Sequence, residues 1–141
     1  MFLVPINYLA ILLCGVAAMV LGFLWYGPIF GKEWSKMVGM TKEKMDKAKG
    51  AMPKTYGLMF ISSLVMAYAL AHFIWYAAPG TVTLLIGVKT AVWGWLGFVA
   101  TYAFSKFLFN AEDKPWMLLV IDTGYYLVLL VLMGAIIALL Q

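Results

Sequence analysis

From Trp116 to Leu140 the chain carries one charged residue, Asp122, and no other acid lies inside any of its apolar runs. An ionised carboxylate in hydrocarbon costs several kcal/mol, so it must face protein or water and find partners there. Any fold for this chain therefore has to gather other segments around one stretch, Ile121-Asp122-Thr123-Gly124-Tyr125-Tyr126.

Those other segments are apolar as well. The chain is 65% hydrophobic and 11% charged over 141 residues, with a mean hydropathy of +0.96, whereas soluble domains are about a quarter charged. A soluble fold of this size could not hide so much apolar surface, and lipid is the expected solvent. The pattern predicts one all-α integral membrane domain, 1–141, with four transmembrane helices at about 5–26, 55–76, 82–107 and 116–140. The N-terminus is apolar from Phe2, without the basic stretch of a secretory signal, so residues 1–27 read as a retained first span.

Residues 29–54 are the one long polar segment. Seven lysines against Glu33, Glu43 and Asp46 give it +4, the whole net charge of the chain. Thr41 is placed to cap a short helix ending before Gly50, with Glu43 and Lys47 spaced to pair along it. Short amphipathic helices lying on the membrane surface are expected here, between the first and second spans, against anionic lipid. The third inter-span loop also carries Lys106 and Lys114, while the second loop and both tails carry no lysine. The positive-inside rule then places both charged loops in the cytoplasm and both termini outside a cell (inner) membrane.

Orientation sets depths. Lys89 lies roughly 10 Å below the outer surface and Asp122 roughly 10 Å above the inner one, at 1.5 Å per residue in a core of about 30 Å. The two are too far apart in depth for a direct ion pair. The depths define two polar layers. Asp122, Tyr125, Tyr126, Ser62, Ser63 and Thr101 make the inner layer, with Tyr26 and Tyr102 on the same side. Lys89, His72, Tyr68 and Asn7 make the outer one. Asp122 reads either as a hydrogen-bonded acid that holds helices together or as a proton or cation site.

The third span has the clearest face. Gly87, Thr90, Gly94, Gly97 and Thr101 recur at steps of three and four, with Trp93 and Trp95 off that face. Small residues at this spacing make a helix-packing seam or a polar stripe along a water path. Ala18 with Gly22, and Gly134 with Ala138, repeat the small-xxx-small spacing. No internal repeat is evident.

Several chemistries are excluded by what is missing. One cysteine, Cys14, allows no internal disulfide, and one histidine, His72, makes no metal cluster. Asp122 and His72 fall in opposite leaflets, which rules out a Ser-His-Asp triad. No phosphate-binding or dinucleotide motif occurs, and lysines without arginine do not point to nucleic acid. Neither a catalytic constellation nor a cofactor site is read from the chain.

Asn7, then Trp25-Tyr26-Gly27-Pro28 with Phe30-Gly31-Lys32, and later Ile121-Asp122-Thr123-Gly124-Tyr125-Tyr126 with Met133-Gly134-Ala135-Ile136, mark the two ends of a pattern. In these the chain resembles the domain-of-unknown-function 1761 family of small bacterial integral membrane proteins. The resemblance implies four spans in a cell membrane and no particular activity. The expected function is transport or permeation of a small ion, proton or small solute by a homo-oligomer. The alternative is a structural or regulatory membrane protein working through its basic segment.

Overall fold

The computed structural model describes residues 3–141; Met1 and Phe2, included in the first-span reading, lie outside the described residues. Among the described residues every regular element is helical. In order these are α1 (Tyr8–Leu24), α2 (Gly31–Met37), α3 (Lys42–Ala48), α4 (Met52–Ala77), α5 (Leu84–Gly94), α6 (Thr101–Leu108) and α7 (Trp116–Leu140). Two π turns, Trp25–Ile29 and Trp95–Ala100, continue α1 and join α5 to α6. Four helical stretches are long and apolar enough to cross a membrane: Tyr8–Ile29, Lys42–Ala77, Leu84–Leu108 and Trp116–Leu140.

The helices start where backbone donors find an oxygen. Asn7 Oδ1 accepts from the amides of Leu9 and Ala10 at 3.0 and 3.2 Å, Thr41 caps α3, and Thr83 caps α5. Asn7 also ties the start of α1 to the end of α7, its amide donating to the Leu140 carbonyl at 2.6 Å. The turn between α4 and α5 uses Gly80 at φ +72°, a conformation that suits glycine.

α7 is the central element and packs on α5, α1 and α4. Its contact with α5 is the closest in the molecule. A methyl added at Gly87 would overlap the Gly134 carbonyl and come within 2.7 Å of the Ala138 methyl. The absent side chains let two backbones touch, and dispersion between them replaces the hydrophobic effect that lipid cannot supply. Around this crossing the core is small and dry: Cys14, Ala67, Ile74, Ala91, Met133 and Ile137 are almost fully buried. Large side chains such as Phe23 (76% exposed) and Trp93 (70%) point outward, as expected of a surface that meets hydrocarbon.

The first helical stretch runs from Tyr8 to Ile29. Pro28 sits inside the π turn, where Phe30 N donates to Trp25 O at 2.9 Å and restores a backbone bond that proline disrupts. The basic segment is helical, as α2 and α3. α3 runs through a 3-10 turn at Lys49–Ala51 directly into α4, giving 36 helical residues from Lys42 to Ala77. A straight helix of that length would span about 54 Å, against a membrane core of about 30 Å. Every residue of α3 is exposed, and it carries the Glu43–Lys47 pair at 3.1 Å. Only α2 folds back against the bundle.

Candidate functional site

Asp122 is held by the first span and by α2. Its Oδ1 accepts from the Tyr26 hydroxyl at 2.9 Å and from the Trp34 indole N–H at 3.2 Å. Tyr26 comes from the π turn that ends the first span, and Trp34 from the short helix behind it. Among the described residues the other oxygen, Oδ2, has no hydrogen-bond partner and is not fully enclosed. Asp122 lines a cavity of about 640 Å³ together with Tyr26, Trp34, Tyr126, Lys106 and Asn110.

The backbone on either side of Asp122 is clamped. Trp25 Nε1–H donates to the Ile121 carbonyl at 3.0 Å, and Trp95 Nε1–H donates to the Thr123 carbonyl at 2.8 Å. Both tryptophans open a π turn, and both belong to a Trp-x-Gly triplet: Trp25-Tyr26-Gly27 and Trp95-Leu96-Gly97. Two spans that run in the same direction thus present the same local device to α7. Widened helical turns of this kind often mark functional positions. The triplet is a short repeat after all, and it is the legible signal for these two residues. Trp34 has none: its sequence context makes it an apolar contact of the basic segment.

Behind Asp122 the packing is aromatic. Tyr26 meets Trp34 edge-on (5.3 Å between ring centres) and Tyr125 at a tilt (5.4 Å), and Tyr125 meets Tyr126 at 5.1 Å. Tyr125 is buried and its hydroxyl donates to the Ala18 carbonyl at 3.1 Å. Gly22 leaves room for that hydroxyl, so the Ala18–Gly22 pair accommodates a tyrosine rather than a neighbouring backbone. Gly124 leaves the same kind of room for the Trp25 ring.

The structure disperses the rest of the expected inner layer. Ser62 is exposed, and the Ser63 hydroxyl donates to Met59 O of its own helix at 2.8 Å. Thr101 is exposed and donates to Gly97 O at 2.7 Å. None of the three meets Asp122: equal depth does not mean equal azimuth. The outer layer is looser still. His72 Nδ1 lies 2.9 Å from Tyr68 O on the same helix, with the Tyr68 and His72 rings 4.6 Å apart. Lys89 is exposed and has no ion pair among the described residues.

The expected seam on the third span is used only in part. Gly87 makes the close crossing, with Ala91 beside it, and Thr90 is half-buried. Nothing lies within 4 Å of a methyl placed on Gly94 or Gly97. Gly94 still lies in α5, two turns past the crossing, with open space beside it, and Gly97 lies inside the π turn. One extra residue per turn rotates the remainder of the span by about 100°, so an α-helical period read through residues 95–100 leaves its face.

The positive side of the cavity is partly neutralised. Lys114, on its wall, pairs with Glu112 at 2.9 Å, and the hydrogen bond and charge of Lys114 hold the Glu112 carboxyl below its ordinary range. Lys106 has no ion-pair partner among the described residues.

A family model described as "Protein of unknown function (DUF1761)" matches residues 9–138. The chain belongs to this family. Neither a curated protein nor a solved structure matches it. The DUF1761 match takes in the whole Asp122 site, both Trp-x-Gly turns and the Gly87–Gly134 crossing, and leaves Asn7 and Leu140 just outside. Its description names no activity, so for this DUF1761 protein any activity has to be argued from the Asp122 cavity.

Proposed function

We propose that this protein moves a small ion, proton or small solute across the membrane, with Asp122 as the cation-binding group. The observation that carries this reading is an acid on the wall of a cavity, one oxygen fixed by Tyr26 and Trp34 and the other without a hydrogen-bond partner among the described residues. An acid held by one oxygen is positioned, yet keeps a lone-pair face for a proton or cation. On this reading both termini lie outside a cell membrane, and the cavity opens toward the cytoplasm. The lysines of α2 meet anionic headgroups there. Four spans enclose little interior, and the cavity is open along its side, so a second copy of the chain completes the path.

The test is dissipation of a pH gradient in proteoliposomes, comparing the protein with Asp122→Asn. Asparagine keeps an acceptor for Tyr26 and Trp34 and cannot titrate, so the expected result is a folded protein with lost flux. Equal flux from the two proteins, or none from either, overturns the proton form of the proposal.

A further inference from the structure

The cavity that exposes the acid also holds a free cation. Lys106 stands on its wall, near Asn110, and has no ion-pair partner among the described residues. The two charges narrow the choice of ligand. A proton alone needs no space of about 640 Å³. A bare organic cation is drawn to Asp122 and repelled by Lys106, and a bare anion meets the reverse. A molecule carrying both signs satisfies both groups.

We infer that the cavity binds a zwitterionic amine. Its ammonium sits at Asp122 Oδ2 beside the rings of Tyr26, Trp34 and Tyr126, and its carboxylate or phosphate lies at Lys106 and the Asn110 amide. Ring faces favour an ammonium in a partly dry site, which adds to the charge-assisted hydrogen bond to the acid. This inference rests on Asp122 being the cation site and names what that site carries. The apolar body has a place too. Phe98 and Tyr102, on the same wall, are each 68% exposed, so the cavity opens sideways toward hydrocarbon. A free amino acid and the headgroup of a zwitterionic phospholipid share this chemistry.

The experiment is calorimetric titration of the full-length protein in micelles with matched probes. Phenylalanine carries both charges, phenethylammonium only the amine, and 3-phenylpropionate only the carboxylate. Dihexanoyl phosphatidylethanolamine, set against dihexanoyl phosphatidylglycerol, supplies the lipid arm. The expected result is that a zwitterion binds about tenfold tighter than either single-charge analogue, the effect of one charge-assisted hydrogen bond. Lys106→Gln should erase the preference over phenethylammonium, and Asp122→Asn the preference over 3-phenylpropionate. Lys106 is exposed, so its variant folds whatever its effect on binding. Preference for phenylalanine assigns the ligand to free amino acids, and preference for the ethanolamine lipid assigns it to headgroups. If phenethylammonium binds as tightly as phenylalanine and Lys106→Gln tightens it further, the zwitterion is wrong and the cation site stands. If Asp122→Asn leaves phenylalanine binding unchanged, the ammonium is not at Asp122 and the zwitterion reading falls. Binding of no probe overturns the zwitterion alone, since proton flux is measured separately.

Discussion

From Leu129 to Ala138, α7 meets its neighbours through apolar side chains and, at Gly134, bare backbone, with Leu129, Leu130, Met133 and Ile137 buried. From Trp116 to Tyr126 the same helix meets them through indole N–H and tyrosine hydroxyl groups, around a cavity. The first half is fixed by shape, because the α5 and α7 backbones touch at Gly87 and Gly134 and neither can yield. The second is fixed by direction, because Trp25, Trp95, Tyr26 and Trp34 each donate to one named oxygen. Close packing transmits any added volume as strain, whereas a hydrogen bond can be lost singly for a small cost. A membrane protein that must be rigid in one half and accessible in the other has reason to use both.

The comparison is broken most severely at the crossing. Gly134→Leu forces a side chain into the α5 backbone and should cost about 3 kcal/mol or more. Thermal unfolding in micelles measures this, and an unchanged melting temperature would mean that the helices do not touch there. The inner half should respond less. Trp25→Phe and Trp95→Phe together remove two indole donors and should cost about 2 kcal/mol, roughly 1 kcal/mol for each hydrogen bond. Their effect on flux or binding should exceed their effect on stability, because the clamps set where Asp122 stands. The smallest effect sharpens the boundary between the halves. Gly97→Ala meets nothing within 4 Å and should change stability by less than about 1 kcal/mol, in the stabilising direction that alanine confers on a helix. A large loss would show that the crossing extends past the π turn.

The sequence displayed the spans and the importance of Asp122, since length, apolarity and a lone acid follow from the solvent. It displayed the Gly134–Ala138 pair for the same reason, as spacing on a regular helix survives into the structure. What it concealed lies where the helical period breaks. Gly97 and Thr101 continue the face of Gly87 only if the span is α-helical throughout, and the π turn at Trp95–Ala100 ends that continuity. Ser62 and Ser63 share a depth with Asp122, but depth is one coordinate of two. Trp34 lies in a polar segment whose return to the bundle no local pattern encodes. The paired Trp-x-Gly triplets are visible in the chain, yet a two-residue identity carries weight only once both indoles are seen on either side of one acid.

The most direct test uses the protein's own cysteine as its control. Cys14 lies fully buried beside Met133, in the closed half. A membrane-impermeant thiol reagent should leave the wild-type protein unlabelled and should label Asp122→Cys from the side of the lysine-rich segment. Labelling of Asp122→Cys only after denaturation would contradict an Asp122 open to water, and labelling of wild-type Cys14 in the folded protein would contradict the dry half.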